Sequence, residues 1–216
     1  MVSKRASGRH AIRLAIICLL LVANPVFGYK CALSSQSIRE AYFLGRKNDA
    51  ATAEFMRQYV HHLPVPRTGA YIAEIRLETP YAEVVERAQE ELVYTAQDAT
   101  REFLDKPCVL RLYVKIYFTP SYTAILRSDE HRVTLRSQDF WHEFKFRFLQ
   151  ADEVPPEVMR GQPIFASSEK GMRQLIGNEV YAEYSAKKVA AEPTKIEVLD
   201  PSGSTVETVF DLSQLR

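Results

Sequence analysis

Four histidines follow residue 28: the adjacent pair His61-His62, then His131, then His142 with Glu143 beside it. A zinc site needs three or four such ligands aimed at one point. Adjacent histidines diverge in regular structure, and His142-Glu143 has no second histidine four residues on, so the zinc-protease helix pattern fails. The weak remaining option draws His61, His62 or His131 together with Asp129 or Glu130. No metal site is expected. His142 is expected instead on the core side of a phenylalanine-rich strand.

Carboxylates are plentiful and therefore uninformative. Glycoside hydrolysis needs two carboxyl groups roughly 5–9.5 Å apart across a cleft. Among 27 acidic residues some pair always qualifies, so none can be singled out. Glu83, Glu86, Glu90 and Glu91 are expected on the wet side of a helix, with Glu83 and Arg87 spaced as an i,i+4 ion pair. Beyond residue 28 there are six glycines, at 45, 69, 161, 171, 177 and 203. They are too scattered to cradle a phosphate, and no glycine–serine nucleophile elbow exists. No nucleotide or other cofactor is expected.

The sharpest chemical candidate is aromatic. In "CVLRLYVKIYFTP", Leu110, Leu112, Val114, Ile116 and Phe118 alternate with Arg111, Tyr113, Lys115 and Tyr117. In "DFWHEFKFRFL", Phe140, His142, Phe144, Phe146 and Phe148 alternate with Trp141, Glu143, Lys145 and Arg147. If both strands belong to one sheet, Tyr113, Tyr117 and Trp141 share an outward face with five charges. Such a face can stack on sugar rings or grip a peptide. These three residues are the expected ligand-binding set. A helix laid over them would make them core instead.

The elements that must position this face follow from periodicity. Ser37 and Glu40 have capping-box spacing. Ile38, Ala41, Tyr42 and Gly45 then share a helical face. Asn48-Asp49 reads as a break and a new cap; Phe55, Met56, Tyr59 and Val60 form a second stripe, stopped by "HHLPVP". "AYIAEIRLET" alternates as a half-buried strand with Ala73, Ile75 and Leu77 inward and Glu74, Arg76 and Glu78 outward. Thr79 caps a helix that has Pro80 at its first position and Tyr81, Val84, Val85, Ala88 and Leu92 as its stripe. Thr95 and Asp98 offer another capping box. Helices are thus expected within 36–62 and 80–105, and mainly strands over 108–210. "TAILR" and "RVTLR" flank "SDEH" as a hairpin, and "TKIEVLD-PSGS-TVETVF" reads as another. The proline-containing connector at 152–163 is expected to be a loop. Helices precede strands rather than alternating with them. The expected fold is therefore α+β, with N-terminal helices packed on a predominantly antiparallel sheet or sandwich.

The compartment is read from the first 28 residues. Lys4, Arg5, Arg9 and Arg13 precede an apolar run, Leu14 to Val22, of nine residues. That is too short to span a bilayer, which takes roughly 20. Pro25 breaks the run, and Val26 and Gly28 supply small residues three and one positions before a cut after Gly28. Lys30 before Cys31 excludes lipid attachment at that cysteine. Residues 1–28 are thus an expected signal peptide, and 29–216 a single exported domain, periplasmic or extracellular, with no lasting membrane insertion. Losing the leader takes four basic residues and no acidic one. The balance moves from 28 against 27, net +1, to 24 against 27, net −3. A nucleic-acid binder would show the opposite surplus. Cys31 and Cys108 remain, and an oxidising compartment favours their pairing. Function is expected to be non-catalytic binding of an envelope peptide or glycan. The alternative is a secreted hydrolase using dispersed acidic residues.

Overall fold

A computed structural model of the protein describes residues 29–30, 32–122, 139–167 and 173–216. The expected leader, Cys31, the hairpin expected around "SDEH", and Asp129, Glu130 and His131 lie outside the described residues.

Local capping sets the helices. The Ser34 hydroxyl accepts from the Ser37 N–H at 3.1 Å and opens α1, Ser35–Lys47. The cap is thus Ser34, three residues earlier than the expected Ser37 box. Asn48 ends α1 in the left-handed region at φ 47°. Asp49 then accepts from the Ala51 and Thr52 N–H groups to start α2, Ala50–Arg57. Thr79 caps α3, Pro80–Glu90, with the proline at the first position, where its missing N–H costs nothing. Thr95 and Asp98 complete a capping box on α4, Ala96–Phe103. Because α3 stops at Glu90, Leu92 leaves the expected stripe and is 85% exposed.

The helices build a core of their own. Ile38 and Ala41 of α1 meet Val84, Val85 and Ala88 of α3, and Ala99 and Phe103 of α4 close the cluster. Gly45 lets α1 cross α3 closely: a Cβ there would lie 2.2 Å from the Val85 carbonyl oxygen.

The strands form two antiparallel sheets. The larger has the order β1-β2-β3-β6-β5: Val60–His62, Ala70–Glu78, Val109–Phe118, Arg173–Ser185 and Val158–Ser167. The smaller is β4-β7-β8: Lys145–Leu149, Pro193–Leu199 and Thr205–Asp211. The fold is α+β. β3 alternates as expected, with Leu110, Leu112, Val114, Ile116 and Phe118 buried and the residues between them half-buried. Its inward side meets Phe148, Ile196, Val198 and Phe210 of the smaller sheet in one core. Each such fully buried aliphatic side chain contributes roughly 1.5–3 kcal/mol.

Four further expectations change. A β-bulge between Ile72 and Glu74 shifts the alternation of β2, so Ile72 rather than Ala73 faces the core. The histidines of "HHLPVP" are strand β1 rather than a helix end. The connector at 152–163 ends in strand, because β5 begins at Val158. "DFWHEFKFRFL" is not one strand: Phe140–Glu143 is a 3-10 turn, and only Lys145–Leu149 is extended. The turn tucks Trp141 over Gly161 of β5, where a Cβ would stand 2.0 Å from the indole Nε1. The missing side chain of Gly161 makes the space, and burying the indole outweighs continued extension. His142 is consequently exposed rather than core-facing and stacks on Trp141 at 3.7 Å between ring centroids.

Candidate binding face

The outward side of the five-stranded sheet is set by its register. Rows run across β2, β3 and β6 with β3 in the middle: Arg111 between Glu78 and Glu183, Tyr113 between Arg76 and Tyr181, and Lys115 between Glu74 and Glu179. Tyr71 stands opposite Tyr117, and Arg160 and Gln162 of β5 extend the middle rows. Strand alternation puts all of these on the side away from the core.

Tyr113 and Tyr117 therefore share a face, as expected, and Trp141 does not. Gly161, which Trp141 covers, pairs with Val180, and Val180 pairs with Val114 on the buried side. β3 and β4 lie in different sheets, so the expected common surface of the two strands does not form. Trp141 is core, and Glu143, Lys145 and Arg147 are elsewhere too. Tyr71 and Tyr181 take their place. Tyr113 and Tyr181 have ring centroids 5.2 Å apart, and Tyr71 and Tyr117 6.4 Å. Tyr181 was legible in the alternation of "VYAEYSA". Tyr71 was hidden by the bulge.

The face has two halves. At the Tyr117 end the charged and polar groups pair among the strands: Lys115 Nζ lies 3.0 Å from the half-buried Glu74, His62 Nδ1 3.6 Å from the same carboxylate, and Gln162 donates to Glu179 at 2.9 Å. At the Glu78 end α3 lies against the sheet and the charges are partly buried. Glu83 and Glu86, three residues apart on α3, face the strands rather than water. Glu86 pairs with Arg76, while Glu83 pairs with Arg111 and, at 2.7 Å, with Lys106. The expected Glu83–Arg87 pair is replaced, since Arg87 answers Glu91 and Glu102.

Glu78 is the centre of this end and only 5% exposed. Tyr113 donates its hydroxyl to Glu78 at 3.2 Å, and Arg111 Nη1 approaches at 3.5 Å. Burial, then a hydrogen bond with Glu86, then the Glu83 charge raise Glu78 to about 7. Burial, followed by the Glu78 charge, pushes the Tyr113 hydroxyl well above the ordinary tyrosine range. Burial and a hydrogen bond with Glu183 push Tyr181 up to about 12. The Arg76 guanidinium covers the Tyr113 ring at 4.4 Å.

Chemically, the Glu78 end is a clasp: its glutamates are engaged by arginine, lysine or tyrosine. The Tyr117 end is an open, aromatic and polar surface. Two grooves, of about 580 and 330 Å³, lie on the helices, one along Ser35, Arg39 and Phe43 and one around Arg87, Tyr94 and Arg101. Neither reaches the sheet face. Among the described residues no three His, Cys, Asp or Glu side chains are grouped to hold a metal ion, and no helix is long and apolar enough to cross a membrane. Compared with family models, with curated proteins and with solved structures, the chain matches none.

Proposed function

We propose that the protein is an exported, non-catalytic binding module whose five-stranded sheet takes a glycan of the cell envelope on its outward face. One observation carries this reading: two cross-strand tyrosine pairs stand there, Tyr113 with Tyr181 engaged at the Glu78 end and Tyr71 with Tyr117 half-buried at the other. Tyrosine rings stack on sugar rings, and the neighbouring Lys115, Glu74, Glu179 and Gln162 offer donors and acceptors for hydroxyl groups. A peptide binds best at a sheet edge, where backbone groups are free. The middle of a sheet has none to offer, which favours a glycan over a peptide. The carboxylates that come together are bonded to Arg76, Arg111, Lys106, Tyr113 or Tyr181 at the α3–sheet joint, which supports binding over the alternative of a secreted hydrolase. Calorimetric titration with soluble envelope glycans tests the reading. Tyr117→Ala should weaken binding by about 1 kcal/mol or more with the fold intact. Undiminished binding by Tyr117→Ala and Tyr71→Ala would overturn it.

Export and a Cys31–Cys108 disulfide belong to the same reading. The Tyr29 N–H donates to the Val189 carbonyl at 2.8 Å, and the Ala186 N–H donates to the Cys108 carbonyl at 3.2 Å. The start of the described chain and Cys108 are thus tied to one short turn, which supports pairing with a cysteine two residues beyond Tyr29. Closing a loop of about 77 residues stabilises by roughly 3–5 kcal/mol in the chain-entropy model. Mass spectrometry of the exported protein should find Tyr29 first and both cysteines closed to alkylation until reductant is added. A retained Leu14–Val22 segment, or two thiols titrated without reductant, would refute it.

A further inference from the structure

The joint between α3 and the sheet holds an uneven number of charges. Four carboxylates converge there: Glu78 from β2, Glu83 and Glu86 from α3, and Glu183 from β6. Three cations answer them: Arg76 from β2, Arg111 from β3, and Lys106 after α4. The hydroxyls of Tyr113 and Tyr181 point at Glu78 and Glu183. Farther out, Arg87 meets Glu91 and Glu102 in water's reach, and Lys106 also reaches Glu102 at 3.9 Å, which leaves it less free to offset the joint's own carboxylates. Arg76, one of the three, bonds Glu86 through Nη1, and its buried Nε finds no hydrogen-bond partner among the described residues. The joint is therefore one proton short of neutrality, and the least exposed of its carboxyl groups is Glu78.

We propose that Glu78 is a proton-operated latch between the helices and the sheet. While Glu78 carries a proton the joint is balanced and α3 stays seated. When the proton leaves, one uncompensated negative charge is buried under α3, and the helices loosen from the strands. Three features place the response at the joint. The helices pack mainly into a core of their own, which meets the sandwich core at Ala82 of α3 and Phe55 of α2. The charged network bridges the two. A buried unpaired charge costs far more than an exposed one.

The direction follows from linkage. Glu78 is raised from an ordinary 4.5 to about 7 by burial first, then by its bond with Glu86 and the Glu83 charge. The folded protein therefore holds a proton that the opened form releases. The stability from that proton is complete below about pH 4.5 and is lost as pH rises through about 7.

Hydrogen exchange of the full chain between pH 5.5 and 8, corrected for intrinsic exchange chemistry, tests this latch. Opening of α3 amides should rise on the order of tenfold or more across that window, while β3 and β6 amides keep their protection. Glu78→Gln should hold α3 protection constant across the window. Should Glu78→Gln not fold, Glu86→Gln should reduce the pH response instead. A flat wild-type profile would overturn the proposal. So would equal loss in helices and strands, or a wild-type response kept by the substituted protein.

Discussion

The two sheets turn very different faces outward. The three-stranded sheet presents Lys145, Arg147 and Leu149 of β4, Lys195, Glu197 and Leu199 of β7, and Thr205, Glu207 and Val209 of β8. It bears no aromatic ring. Its ion pairs, Arg147 with Glu153 and Glu197, and Lys195 with Glu197 and Glu207, lie mostly at the surface, with Glu197 tucked between the two cations. The five-stranded sheet presents four tyrosines, and its ion pairs at the Glu78 end sink under α3. Both faces alternate apolar-in and polar-out. They differ in what the polar side must meet. One meets solvent. The other meets a helix at one end and carries the Tyr71–Tyr117 pair at the other.

Arg111 gives that contrast its largest measurable consequence. Its side chain is 14% exposed and serves Glu78, Glu83 and Glu183 together. Arg111→Ala should leave three carboxylates short of their shared cation and cost on the order of 3 kcal/mol, read as a shift in the urea midpoint. A shift inside experimental scatter would erase the distinction between the two faces. Tyr113→Phe should cost less, about 1 kcal/mol, because it removes only the hydroxyl that donates to Glu78 at 3.2 Å. The same substitution should steepen the fall of stability with pH, since Glu78 then loses a donor to its charged form. A shallower fall would mean that Glu78 is not the group titrating.

The alternation in β3 and the caps Thr79, Asp49 and Thr95–Asp98 were legible in the sequence because each is a local signal, spaced over two to four residues. The inward side of β3 was likewise readable. What covers the outward side was not. Glu83 and Glu86 look like the wet side of a helix in sequence, and only the placement of α3 against β2 and β3 turns them toward Arg111 and Arg76. Trp141 shows the same limit from the other direction. Its strand-like setting is local, but the vacancy that receives it belongs to Gly161, twenty residues on. Of the expected Tyr113, Tyr117 and Trp141, the two tyrosines came from periodicity and share the face. Tyr71, which was not expected, required a bulge, and placing Tyr181 beside Tyr113 required a pairing register that periodicity does not carry.

Arg147 supplies the smallest effect and the sharpest control. On paper it resembles Arg111: an arginine in the middle of an outward strand face, serving two glutamates, here at 3.0 and 3.1 Å. Its side chain is 48% exposed, however, so water already solvates the charge; Glu153 is equally exposed, and Glu197, itself 13% exposed, keeps Lys195 as a partner when Arg147 goes. Salt at about 0.15 M screens such pairs beyond roughly 8 Å, and holding a long side chain in place costs rotamer entropy. Arg147→Ala should therefore leave the urea midpoint where it is. Raising the salt should also leave the difference between Arg147→Ala and wild type near zero, whereas the Arg111→Ala deficit should persist. If Arg147→Ala proved as damaging as Arg111→Ala, burial under α3 would not be what separates the two faces. Paired charge alone would then account for both.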